Sequence, residues 1–263
     1  MFVIATTLNE TERTGIVMSI KNTKIVIKKL LGDSVINKII LFKCKVIFIK
    51  NKLQGSIYND FFFYPFNIFK PMPKTSLAMM KKACDILNSL EVNYFLADGT
   101  LLGIYRDNRL IPHDFDIDLS VVYPVDVKAI ERKFKLNGFK IGRKAIAFGK
   151  IQQLCFFTDN QDLLDITFYT IINDYAYCFC EKDFYFKHRA HHYHKKIPHQ
   201  FDHYTFNIPN DTEFWLEEVY GESWRIPKTS KPQDWREGGG VEYLAAVPFD
   251  GDFKKLSKQI GVQ

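Results

Sequence analysis

The sequence contains no run of about 18 uncharged apolar residues, the minimum for a membrane-spanning helix. Its first residues, MFVIATTLNETERTG, lack the basic start and apolar run of a secretory leader, so none is expected. Cysteine is scarce and odd in number: Cys44, Cys84, Cys155, Cys178 and Cys180 are scattered through expected helices and strands. That pattern argues against a disulfide framework and for a reducing compartment. Internal repeats are absent as well, which argues against a solenoid. A chain of 263 residues with 46% hydrophobic and 25% charged content is too apolar to be disordered throughout and long enough to bury a core. The expectation is a cytoplasmic protein, peripheral at most on the cytosolic face of a membrane.

Acidic residues are almost missing between Lys21 and Lys52, where nine lysines face Asp33 alone. The segment carries +8 and the rest of the chain −2, against a net charge of +6. The basic character is therefore local, and no nucleic-acid partner is expected. A lysine-rich amphipathic stretch over 16–52 can rest on anionic membrane, on an acidic partner, or against its own domain. Residues 57–73, IYNDFFFYPFNIFKPMP, read as an aromatic connector that is either core or an apolar contact patch.

The rest of the chain is rich in elements that alternate in type. After Pro73, Thr75 or Ser76 can cap a helix whose Leu77, Met80, Cys84, Leu87 and Leu90 share a face. Tyr94 to Ala97 reads as a buried strand, and Gly99-Thr100 as the turn into a helical LLGIYRD. Asp114 to Val122 reads as a strand, and Pro124 to Asn137 as a helix stopped by Gly138. Strands follow near Ile151 to Phe157 and Leu163 to Thr170, then a helix near Asp211 to Tyr220. The class is α/β (α+β), with a basic N-terminal extension (1–73), a catalytic domain (74–236) and a short C-terminal tail (237–263) set off near Gly238 to Gly240.

Within LADGTLLGIYRDNRLIPHDFDIDL, Asp114, Asp116 and Asp118 alternate. On a strand they would share one face, ~6.5–7 Å apart. Each uncompensated pair would repel by roughly 2 kcal/mol at an effective dielectric near 20. A water-facing edge strand tolerates that pattern; a divalent cation with a preference for hard oxygens, Mg²⁺ or Mn²⁺, removes the repulsion. The neighbours favour the cation. Gly99 and Thr100 at a helix start suit a phosphate, and Arg106 can offer it a planar fork, or instead pair with Asp107 or Asp116. Asp165 is a lone acid in the apolar run LLDITFYT, and burying it is costly. A metal ligand or proton acceptor accounts for it, with Arg143 or Lys150 as the competing partner. A phosphate cradle beside metal-binding carboxylates is what phosphoryl or nucleotidyl transfer requires.

FLADGTLLGIYRDNRLIPHDFDIDL resembles the hallmark stretch of the LicD/fukutin family, roughly GTLLG, an arginine, IP and then D-x-D-x-D. FNIPNDTEFWLEEVYGESWRIP resembles that family's distal motif, so the likeness covers about residues 75–228. The resemblance implies a nucleotidyltransferase-like mixed sheet flanked by helices. It also implies transfer of a phosphorylated alcohol (phosphocholine, polyol phosphate or sugar phosphate) from a CDP-linked donor. The acceptor would be a glycan hydroxyl of lipopolysaccharide, capsule, teichoic acid or a glycoprotein. By the same resemblance Asp116 and Asp118 bind metal, Asp165 is third ligand or base, Asp114 is an accessory carboxylate, and Gly99, Thr100 and Arg106 face the diphosphate. Tyr220 and Trp224 would close the donor pocket, an aromatic ring stacking on the base, or Trp224 would simply pack a helix end. Asp98 departs from the second Gly or Ser of many nucleotidyltransferases.

KHRAHHYHKKIPHQFDH reads as a cationic loop meeting an anionic substrate, or as a plain exposed basic loop. Zinc through Cys178, Cys180 and two histidines would need a nonstandard spacing. Rival activities are a nucleotide-sugar glycosyltransferase, a nucleotidyltransferase that transfers the NMP itself, and a binding module with a decayed site.

Overall fold

The computed structural model describes residues 32, 34–227 and 244–262. The chain divides into two compact units, Met1–Ile49 and Lys50–Gln263. Helix α1 occupies residues 34–53; residues 16–31 and Asp33 of the basic stretch lie outside the described residues. Among the described residues no helix is long and apolar enough to cross a membrane.

The second unit opens with β1 (Tyr58–Phe62), α2 (Ser76–Ser89), β2 (Tyr94–Leu96), α3 (Asp98–Asp107), β3 (Ile117–Val122) and α4 (Val127–Leu136). It continues with β4 (Lys140–Ala147), β5 (Lys150–Phe157), β6 (Leu163–Ile172), β7 (Tyr175–Cys178) and β8 (Phe184–Arg189). After a 3₁₀ turn at Ala190–Tyr193 come β9 (Lys196–Phe201), β10 (Tyr204–Pro209) and α5 (Thr212–Tyr220). A second 3₁₀ turn, Glu222–Arg225, is followed by β11 (Ala246–Pro248) and α6 (Phe253–Ile260).

Nine strands form one mixed sheet in which β6 is the branch point. Its first half pairs with β3 in parallel and with β5 antiparallel, and its second half pairs with β7. Strand β6 is LLDITFYTII, nearly continuous in apolar and β-branched residues, as a strand covered on both faces requires. The only parallel pair among the described strands, β3 with β6, is the one beside the site. Helices α2 and α4 pack on the sheet through Met80, Cys84 and Leu87 and through Ile130 and Phe134. Phe134 stacks on Phe156 at 4.8 Å between ring centres, and its truncation to alanine would cost about 3–5 kcal/mol.

Several expectations shift. The strand expected from Asp114 starts at Ile117, so Asp114 and Asp116 lie in the approach to it. Thr75 and Ser76 do not cap α2 with their side chains; both hydroxyls donate to Asp162 Oδ1, at 2.6 and 3.0 Å. The aromatic connector contains β1, an edge strand paired with β4, so the larger unit begins at Lys50 rather than after residue 73. The expected tail likewise joins the body: β11 pairs with β8, and Phe253 and Leu256 of α6 belong to a core cluster with Tyr58, Phe179 and Tyr185. Gly238 to Gly240 lie outside the described residues.

Candidate carboxylate site

The site is assembled where β2, α3 and β3 meet. Ala97 N–H donates to the Asp118 carbonyl at 3.1 Å, and Asp118 N–H donates to the Thr100 hydroxyl at 2.9 Å. The start of α3 is thus tied to the start of β3, and the buried Thr100 is spent on that tie. Asp98, the first residue of α3, has φ +47, a conformation sparse for a residue with a side chain and recurrent at functional sites. At Gly99 a Cβ would stand 2.2 Å from Asp114 Oδ2, so glycine is required for the loop carboxylate to come this close. Asp114 is held from both sides: its Oδ1 accepts from Phe115 N–H at 2.9 Å and its carbonyl from Met72 N–H at 2.8 Å.

Carboxylate oxygens of Asp114, Asp116 and Asp118 all lie within 4.8 Å of one another. Asp118 and Asp165 are register partners in the parallel β3–β6 pair, which puts both side chains on the same face. Asp165 Oδ2 accepts from Gln153 Nε2 at 3.1 Å, and Gln153 Oε1 accepts from the buried Arg143 at 3.0 Å. Arg143 itself is anchored by Asp60, Glu181 and the Cys180 carbonyl. Asp165 therefore meets Arg143 through a glutamine.

Burial raises the pKa of Asp114, with the Phe115 amide acting against it. Burial also pushes Asp116 and Asp118 well above the usual carboxylate range, and the other acids add to it: Asp114, Asp165 and Asp98 on Asp116, and Asp116, Asp98, Asp114 and Asp165 on Asp118. So dense a cluster either takes up protons or binds a cation. Three carboxylates of hard oxygen fit Mg²⁺ or Mn²⁺, which bind through one or two carboxylates plus phosphate.

Tyr220, at the end of α5, has its phenol pushed up by burial and then by the charges of Asp98, Asp118 and Asp114. Trp224 is buried, with an indole N–H that has no hydrogen-bond partner among the described residues. Arg106 does not reach into the acids as a free fork. Nε and Nη2 clamp Asp107 at 2.9 and 2.8 Å, and Nη1 donates to the Trp224 carbonyl at 3.1 Å. It joins α3 to the turn after α5.

Two residues of the site were not read from the sequence. Asp98 was visible only as a departure from a glycine pattern. Gln153 sits in KIQQLCFF, where a buried amide among apolar residues was the available signal.

The histidine stretch is not an exposed loop. His188 on β8 is fully buried, stacks on Trp215 and meets the Tyr169 hydroxyl at 3.1 Å; His192 lies between Asp211 (2.8 Å) and Glu218 (3.3 Å). His188 braces β8, and His192 the 3₁₀ turn after it, against α5, while His191, His194 and His203 are exposed. Cys178 and Cys180 take part in neither of the metal-capable groups found among the described residues.

A glycine turn feeding a helix and an Asp-x-Asp pair at the head of a parallel strand lie together in this mixed sheet, the arrangement that the likeness in the sequence implies. Residues 91–211 match the family model "LicD/FKTN/FKRP, nucleotidyltransferase domain", so over that stretch the chain is similar to the LicD/fukutin family. Ribitol-5-phosphate transferase FKTN of Macaca fascicularis is 27% identical over 176 residues, and that of Homo sapiens equally so. Each match covers 62% of this chain and only 35% of the relative, so the chain spans about a third of their length. Among solved structures, the lincosamide antibiotic adenylyltransferase LnuA, lincomycin-bound, is similar at TM-score 0.39 and 13% identity, over 56% of this chain and 86% of that one.

Proposed function

We propose that the protein is a divalent-cation-dependent phosphotransferase that moves a phosphorylated alcohol from a CDP-linked donor to a hydroxyl of a cell-surface glycan. The observation that carries the reading is the convergence of Asp114, Asp116 and Asp118 within 4.8 Å, with Asp165 in register beside Asp118. The ribitol-5-phosphate transferase activity for which the fukutin relatives are named makes polyol phosphate the first cargo to test, ahead of phosphocholine and sugar phosphates.

In this reading Asp114, Asp116 and Asp118 hold Mg²⁺ or Mn²⁺, which when bound would draw charge from the donor's phosphate oxygens. Gly99 leaves room for the Asp114 carboxylate to join the other acids, and Tyr220 and Trp224 border the donor. Asp165, fixed by Gln153, accepts the proton of the acceptor hydroxyl. The hydroxyl oxygen forms a new bond to the donor phosphorus, the bond from that phosphorus to CMP breaks, and CMP leaves with the electron pair. Arg106, engaged with Asp107 and Trp224, positions the donor wall. The five unpaired cysteines support a place on the cytosolic side.

The test is a panel of CDP-linked alcohols with Mg²⁺, read by thermal shift and then by product. A bound donor at roughly a hundredfold its Kd should add about 2.7 kcal/mol of stability. Turnover should release CMP and leave a phosphodiester on the glycan. A nucleotide left on the acceptor would identify an NMP transferase instead, and sugar transfer with release of a nucleoside diphosphate a glycosyltransferase.

A further inference from the structure

Helix α1 exposes apolar residues that the carboxylate site does not use. Val35 (42%), Ile39 (42%), Phe42 (68%), Val46 (46%), Ile49 (53%) and Leu53 (82%) are all solvent-facing. Their spacing alternates between four and three residues, and at 100° per residue they fall within an arc of about 80°. They make one continuous stripe along a helix roughly 30 Å long. Lys38, Lys45 and Lys52 run along one edge of it, and Lys43 and Lys50 along the other, each within about 60° of the stripe. Ile47 is exposed on the flank beyond Lys43. No acidic residue occurs between 34 and 53.

Two occupants suit an apolar helical stripe: a second copy of the helix, or the boundary between lipid headgroups and acyl chains. The charges choose between them. Paired copies would set lysine flanks against lysine flanks, with no carboxylate on either helix to relieve the repulsion. An anionic bilayer offers negative headgroups to both flanks and apolar depth to the stripe between them. Five lysines in the helix also rule out a span, which agrees with the absence of a membrane-crossing helix among the described residues.

We propose that α1 lies in the plane of an anionic membrane surface, the Val35–Leu53 stripe inserted below the headgroups and the five flanking lysines on the phosphates. The amide of each turn stays satisfied within the helix, so insertion breaks no backbone hydrogen bond. This surface lies outside the carboxylate site and is independent of the proposed reaction.

The test is co-sedimentation of the full chain with vesicles of phosphatidylcholine alone and of phosphatidylcholine with phosphatidylserine as roughly one lipid in three. Binding is expected to the second and not the first, and to weaken as salt rises. Each of Lys45→Gln and Lys52→Gln should lower partitioning roughly fivefold. Phe42→Glu should abolish it, whereas Lys128→Glu, on an exposed face of α4, should leave it unchanged. All four positions are exposed, and matching circular dichroism shows whether each variant is folded. Equal binding to both vesicle types, binding to neither, or survival of binding in folded Phe42→Glu overturns the proposal. So does a dimer in solution that Phe42→Glu dissociates, without vesicle binding, since the occupant is then a second copy. Donor turnover is measured without lipid, so loss of one property leaves the other readable.

Discussion

The backbone amide of Asp118 donates to the hydroxyl of Thr100 at 2.9 Å, across 18 residues of sequence. This bond fixes the first turn of α3 against the first residues of β3, so the glycine turn and the carboxylates move as one piece. Thr100→Val keeps the shape and removes the acceptor, leaving a part-buried amide without a partner at a cost of about 1–3 kcal/mol. Activity should fall more than stability implies, with Thr100→Ser restoring most of both. Chemical denaturation together with kcat and KM for the two variants checks this.

Gln153 connects Asp165 to Arg143, with contacts of 3.1 and 3.0 Å. Gln153→Leu should free the Asp165 carboxylate to rotate and leave an Arg143 donor short of one acceptor. The expected result is a loss of kcat of about 10²-fold, as misplaced catalytic groups give, with donor affinity nearly unchanged. A shifted pH–rate profile would separate this positioning role from general destabilisation, and Gln153→Glu should not rescue because it adds a carboxylate beside Asp165.

The raised pKa values of Asp114, Asp116 and Asp118 set the sign of a cation effect. Acids whose folded pKa lies above the unfolded value contribute stability at low pH and lose it as pH rises through the folded pKa. Bound Mg²⁺ must displace those protons, so stabilisation by Mg²⁺ should grow as pH rises through the raised values, and binding should release protons. Asp116→Asn should raise stability in the absence of cation, and remove most of the Mg²⁺ response and the activity. Thermal shift across pH, with and without Mg²⁺, reads all three.

Two histidines brace α5 with opposite pH dependence. Burial depresses His188 to about 3, so folding requires it neutral. Its contribution is full above the unfolded value near 6.5 and is lost as pH falls, by at most about 1.4 kcal/mol per unit. His192 is opposed by burial, yet its bonds to Glu218 and Asp211 outweigh this and raise its pKa. Its contribution is full below about 6.5 and is lost as pH rises through the raised value. Stability should therefore fall on both sides of a maximum near neutrality. His188→Gln should flatten the acid limb and His192→Gln the alkaline one, by denaturant midpoints against pH.

Local chemistry wrote a good part of the site into the chain. A glycine that allows close approach, a helix start, and alternating aspartates followed by aliphatics all fall within a stretch of neighbours, and Asp165 stands out because a sheet interior resists charge. The strand face expected for the aspartates was an incomplete picture. Asp114 reaches the others from a loop because Gly99 has no Cβ, a fact set by the approach of two segments rather than by period. The edge strand β1 and the closing β11 were hidden for a related reason: short, irregular strands carry weak periodicity, and their identity comes from the partner they pair with.

The sequence by itself determined which residues carry charge and where apolar pattern forbids it. Tertiary structure decided the assignments that depend on distance. Gln153 connects Asp165 to Arg143, Arg106 closes on Asp107 and Trp224, and the histidines brace a helix instead of greeting a substrate. The physical reason is that polar side chains bond to whatever partner lies within about 3 Å, and that neighbour is fixed by the packing of elements far apart in the chain.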